Sequence, residues 1–146
     1  VTSDDIDDVT ITRLFTAARK TMDLPTALRY MVAGLGGVGR RRTPVAVLLV
    51  TDEVARRAGT TRDVLYGRQD RAAYGQARAM TWWVLHYRFD LSYPLLGAIF
   101  DDRDHSTILK LVAAFGSLLR VDDALRATAE DIAVAVWAEL GRKAAA

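Results

Sequence analysis

"LSYPLLGAIFDDRDHSTIL", residues 91–109, is the stretch whose reading decides the fold. Ser92 followed by Pro94 marks a helix start: serine caps a first turn, and proline loses no hydrogen bond there. That short helix runs through Phe100, and a tight turn follows at 101–102. A longer helix then runs from 103, with Asp104 as a cap before His105. Its apolar stripe is Ile108, Leu109, Val112, Phe115 and Leu119, at three- and four-residue steps. Short helix, turn and longer helix make a helix-turn-helix. Gly97, lacking a side chain, lets the two helices approach closely. In such a unit the second helix enters the DNA major groove and presents its first turn to base edges. Arg103, Asp104, His105, Ser106, Thr107 and Lys110 stand where that reading would occur.

The flanks also read as helix. Thr43-Pro44 opens a helix through about Ala58, and Thr60 with Asp63 forms a capping box for a short one ending near Gly67. "GRQDRAAYGQ" (67–76) reads as loop or fraying helix. Met80, Trp83, Val84 and Tyr87 mark the buried face of a longer helix, with Trp82, Trp83 and Trp137 as packing residues. Thr128 with Asp131 caps a last helix bearing Ile132, Val136, Trp137 and Leu140. Upstream, Ile11, Leu14, Phe15, Ala18 and Met22 form one amphipathic stripe, and a second short helix starts at Pro25. "GLGGVGRRRT" (34–43) has four glycines and three arginines, the composition of a linker. Its triplet Arg40–Arg42 suits a solvated linker or a phosphate-binding patch. "VAVLLV" has strand composition but no second strand to pair with, so the fold class is all-α. The division expected is a helical extension with linker, 1–43, and a helix-turn-helix domain, 44–146.

Composition narrows the function. Of 146 residues 51% are hydrophobic, enough for a core. No apolar run approaches the ~18–20 residues that cross a bilayer, so no membrane partner is expected. Cysteine is absent, which excludes thiol and zinc-thiolate chemistry, and the acidic "VTSDDIDDVT" is unlike a secretory signal. A cytoplasmic protein is the expectation. A net charge of +2 and a pI near 9.2 permit DNA binding without arguing for it. With two histidines and no nucleophile set beside a base and an orienting group, an enzyme is not expected. His105 with its neighbouring acids is a poor metal cage, and no cofactor is implied. His86, beside Tyr87, is structural.

At this point the stretch 91–109 resembles the signature of the C-terminal DNA-binding domain of the bacterial replication initiator DnaA. That family shows a pattern like S-L-P-x-I-G-x-x-F-G-G-R-D-H-T-T-V-L-H. Ser92, Pro94, Gly97, Phe100, Arg103, Asp104, His105, Thr107 and Leu109 match it, and Ser106 and Ile108 are close replacements. The similarity covers roughly residues 45–120, with Arg78 on the arginine of the family's R-P-R-Q segment. It implies an all-α domain that binds short double-stranded DNA sites. In the frame Ser92, Pro94, Gly97 and Phe100, it assigns base contacts to Asp104, His105, Ser106 and Thr107. Arg68, Arg71, Arg78, Arg103 and Lys110 become contacts to the backbone or minor groove. The chemistry agrees: aspartate accepts from a cytosine amino group, and hydroxyls pair with several bases.

Two departures stand out. The family's glycine pair is Asp101-Asp102 here, and its basic loop is thinned to Arg68 and Arg71 around Asp70. Phosphate attraction supplies most non-specific affinity, so weaker or altered binding is expected. No G-x-x-x-x-G-K-[ST] occurs, so the resemblance stops short of the family's ATPase module. The reading is therefore a sequence-specific binder of double-stranded DNA, acting as a transcription regulator or a phage-type replication accessory. Residues 1–43 would dock on the domain, self-associate or recruit a protein partner. The alternative is a degenerate helix-turn-helix serving as a protein–protein interaction module.

Overall fold

The computed structural model describes residues 42–145, together with Thr16, which is helical. The expected stripe 11–22, the helix from Pro25 and most of the linker 34–43 lie outside the described residues. Six helices make up the rest: α1 (Arg42–Ala58), α2 (Arg62–Tyr66), α3 (Arg71–Phe89), α4 (Tyr93–Ile99), α5 (His105–Val121) and α6 (Asp123–Ala145). The architecture is all-α, with no strand among the described residues. "VAVLLV" lies inside α1, where Ala46, Val47 and Val50 are completely buried.

α3 is the central helix. It packs against α1, α5 and α6, and α1 in turn packs on α6. That position explains two corrections. A helix enclosed on several sides buries more than one stripe, and every residue from Arg78 to Leu85 is buried. Trp82 is accordingly 1% exposed and Trp83 9%, whereas Tyr87, expected inside, is 52% exposed. The helix also begins at Arg71, so only 67–70 of the expected loop is loop.

Helix ends show where local chemistry had competing solutions. α1 closes on Gly59 at φ +71, with Thr60 N–H donating to the Ala55 carbonyl (2.9 Å) and Gly59 N–H to that of Arg56 (3.3 Å). This is the Schellman arrangement. Thr60 is thus engaged in ending α1, and Thr61 caps α2 instead, accepting from Val64 N–H. The last helix starts at Asp123, five residues before the expected cap at Thr128. Asp122 accepts from Leu125 N–H (2.9 Å) and makes the earlier start possible. Thr128 sits inside α6 and donates to the Ala124 carbonyl at 3.0 Å. Trp137, expected on the buried stripe, is 40% exposed, yet its ring stacks on Phe89 at 4.8 Å.

The helix-turn-helix is α4, residues 100–104 and α5. Ser92 caps α4, accepting from Leu95 N–H, with Pro94 in the first turn. At Gly97 a Cβ would lie 2.2 Å from the Arg103 carbonyl oxygen, a distance that no side chain tolerates, and Arg103 N–H donates to the Gly97 carbonyl at 2.7 Å. Phe100, wholly buried, packs between Tyr66 (5.1 Å) and Trp82 (5.9 Å) and ties the turn to α2 and α3. Asp101 and Asp102 take left-handed φ values of 62° and 52°. Aspartate enters this region more readily than most residues because its short polar side chain bonds locally. The pair can therefore stand where the family pattern has glycines.

Candidate nucleic-acid interface

α5 is divided cleanly. Ile108, Val112, Phe115 and Leu119 are buried, while His105, Ser106, Thr107 and Lys110 are exposed. Leu109, expected in the apolar stripe, is 45% exposed and joins the outer face. The reason is angular. Position 109 lies about 100° around the helix from 108, and only the arc of 108, 112, 115 and 119 meets α3 and α4.

Asp104 caps this helix. Its Oδ1 accepts from Ser106 N–H at 2.7 Å and from the Ser106 hydroxyl at 2.6 Å. Those bonds hold the carboxyl below its ordinary range, with lesser help from Thr107 N–H and His105. The Ser106 hydroxyl proton is thus directed to Asp104, leaving its lone pairs outward. Asp104, His105, Ser106 and Thr107 together form one exposed first turn.

Beside that turn lies an open cleft of about 780 Å³. Arg68, Arg71, Arg78 and Arg103 line it with Asp102, Asp104, Thr107 and Leu111. It brings the loop before α3 and the start of α5, some thirty residues apart in sequence, to one place. The four arginines are not equivalent, however.

Arg78 is 2% exposed, and its guanidinium donates to the carbonyls of Val64 (2.8 Å), Leu65 (3.3 Å) and Gln69 (2.6 Å). Burial pushes its pKa down, with Asp70 opposing. Arg103 donates to the carbonyls of Phe100 (2.6 Å), Tyr66 (3.3 Å) and Gly67, and lies over the Trp82 ring at 5.2 Å. Burial pushes its pKa down to about 10, with Arg78 and Arg68 adding to the effect, so it remains charged near neutrality. The two side chains therefore take up the carbonyls of residues 64–67, the C-terminal end of α2. Such carbonyls have no partner within the helix and lie at its negative pole. A cationic fork suits both needs. The structure thus gives Arg78 and Arg103, both expected as backbone contacts, bonds that clamp α2 and the helix-turn-helix turn onto α3.

Arg68 and Arg71 are exposed at the cleft. Arg68 donates through Nε to Asp101 Oδ2 (2.7 Å) and through Nη2 to the Asp101 carbonyl (3.0 Å). Arg71 and Lys110, the other expected backbone contacts, are both exposed. Residue types alone pointed to the arginines and the first turn of α5. They did not point to Leu111 or Trp82 as cleft walls, because Trp82 reads as a packing residue and Leu111 carries no polar group to signal a site.

Among the described residues no helix is long and apolar enough to cross a membrane, and no group of three His, Cys, Asp or Glu side chains forms a metal site.

Residues 47–114 match the family described as bacterial DnaA protein helix-turn-helix. The chain is 30% identical over 95 residues to the chromosomal replication initiator protein DnaA of Pelobacter propionicus, which covers 65% of this chain and 21% of that relative. It is 33% identical over 61 residues to the protein of the same description from a Synechococcus species, covering 42% of this chain and 13% of the relative. The chain thus spans about a fifth or less of the length of these relatives. No solved structure matches it.

Proposed function

We propose, from the premise that residues 47–114 form a helix-turn-helix domain of the bacterial DnaA type, that this protein binds double-stranded DNA in a sequence-specific manner. The observation that carries this reading is the exposed first turn of α5 beside the arginine-lined cleft. With α5 in the major groove, His105 and Thr107 meet base edges, Asp104 accepts from a cytosine amino group, and Ser106 offers acceptor lone pairs. Arg68, Arg71 and Lys110 meet phosphates. Arg78 and Arg103 act indirectly, by holding the loop that carries Arg68.

Its cellular role is that of a transcription regulator or a replication accessory of the phage type, in which binding itself is the activity. Residues 1–43 then supply the means of self-association or of recruiting a protein partner. A second reading, an interaction module, draws on one observation: three of the four cleft arginines are engaged within the protein. The two readings diverge in one experiment. Bound sequences are selected from a random duplex library with the purified chain, then titrated against a scrambled duplex at several salt concentrations. A recovered consensus bound more tightly than its scramble supports the DNA reading. No binding to any duplex even at low salt hands the fold to the interaction module.

A further inference from the structure

The turn before α5 carries an acidic residue set directly on one of the cleft's exposed cations. Asp101 takes two donors of Arg68, one with its carboxylate at 2.7 Å and one with its carbonyl at 3.0 Å. Both side chains face solvent, at 62% and 51% exposure for Arg68 and Asp101. Surface pairs of this kind are individually weak and exchange their partners readily. A phosphodiester offers a guanidinium two charged non-bridging oxygens that can take both donors. All four arginines carry charge into the cleft, but Arg78 and Arg103 have donors engaged with carbonyls, so Arg68 and Arg71 are its exposed guanidiniums. Whatever occupies Arg68 therefore governs one of those two.

We propose that Asp101 is an intramolecular competitor for the DNA backbone: its carboxylate holds Arg68 in the free protein and must give it up when a phosphate arrives. This rests on the DNA-binding reading. Asp101 then lowers affinity for every duplex alike, leaving α5's base contacts as the larger share of what remains. The opposite arrangement, in which Asp101 braces Arg68 toward the phosphate, predicts changes of opposite sign.

The test uses the full chain carrying Asp101→Asn or Asp101→Gly, each alone and combined with Arg68→Ala. Asparagine and glycine both accept the left-handed φ of 62° at this position, so the turn is kept. Thermal melts check that each variant folds. Fluorescence anisotropy titrations with a selected and a scrambled duplex are run over a series of potassium chloride concentrations. Both Asp101 variants should tighten binding to both duplexes, roughly two- to fivefold. They should also steepen the dependence of log affinity on log salt by about one unit. Most of that gain should vanish in the Arg68→Ala background. Weaker or unchanged binding by the Asp101 variants overturns the proposal, and so does a gain that survives in full without Arg68. A wild-type chain that binds no duplex removes the DNA reading and this inference together, an outcome distinct from either.

Discussion

Gly97→Ala should separate the helix-turn-helix from every other helix pair in the molecule. A Cβ at this position would sit 2.2 Å from the Arg103 carbonyl oxygen and 3.3 Å from its carbon. Both atoms are backbone, so no side-chain rotation relieves the contact. Relief of more than an ångström requires α4 and the turn to separate. The hydrogen bond from Arg103 N–H to the Gly97 carbonyl, now 2.7 Å, is the first to go. Overpacking of this kind costs about 1–3 kcal/mol, and the lost bond adds about 1 kcal/mol. Opposing them is the gain in helix propensity of alanine over glycine, about 1 kcal/mol. The bond and propensity terms cancel and the steric term remains, leaving a net loss of roughly 1–3 kcal/mol. For a domain of this size that lowers the melting midpoint by roughly 4–15 °C.

The assay is urea and thermal unfolding followed by circular dichroism, with Gly141→Ala as the internal control. Gly141 lies in α6 with nothing within 4 Å of a would-be Cβ. There the same substitution should be neutral or stabilising by up to ~1 kcal/mol. Opposite signs for one substitution at two helical glycines are the signature of the close approach. A Gly97→Ala protein as stable as wild type would refute the argument, since it would mean that the turn moves freely.

Three further outcomes follow from the same geometry. Arg78→Ala should cost about 2–4 kcal/mol in urea unfolding, because it leaves the carbonyls of residues 64, 65 and 69 without their donor; a loss of DNA affinity with unchanged stability would restore a direct phosphate role. His105→Ala and Thr107→Ala should leave the melting curve alone and reduce discrimination between selected and scrambled duplexes by ~1–3 kcal/mol per lost contact, whereas equal weakening on both duplexes would mean that they only position the backbone. Asp104 has its carboxyl held below the ordinary range by Ser106, so its contribution is present above that range and is lost as pH falls through the lowered value. The Asp104→Asn protein should therefore lose less stability than wild type as pH falls below about 5, and identical acid profiles would contradict the cap's role.

The legibility of this sequence depended on how many constraints acted on each residue. Ser92, Pro94 and Asp104 were readable because one local rule, satisfying the free N–H groups of a first turn, determines them. Thr60 and Thr128 were misread because the same rule had two nearby solutions. Gly59 drew Thr60 into closing α1, and Asp122 offered an earlier start to α6. Tyr87 and Leu109 failed for a different reason. A stripe drawn on one helix assumes one buried face, but which arc is covered depends on the neighbours' placement. α3 is enclosed along Arg78–Leu85, and α5 is covered only on the arc of Ile108.

The arginines show the limit most clearly. In sequence Arg68, Arg71, Arg78 and Arg103 are four equal cations near a recognition helix. In the folded protein they divide by what lies within reach of each guanidinium. α2 is five residues long and ends in carbonyls that its own turn cannot satisfy. Two arginines supply the donors from outside, and neither carbonyl nor arginine signals this in the sequence, since the partners are 9–14 residues away for Arg78 and 36–37 for Arg103's contacts to Tyr66 and Gly67. All four non-glycine residues with left-handed φ among the described residues, Asp70, Asp90, Asp101 and Asp102, are aspartates. Three of them border the α2–α3 loop or the turn before α5. A chain that builds these turns from aspartate rather than glycine places negative charge beside its own cationic cleft. On the DNA-binding function proposed above, non-specific attraction to phosphate falls as a consequence, and selectivity rests on the first turn of α5.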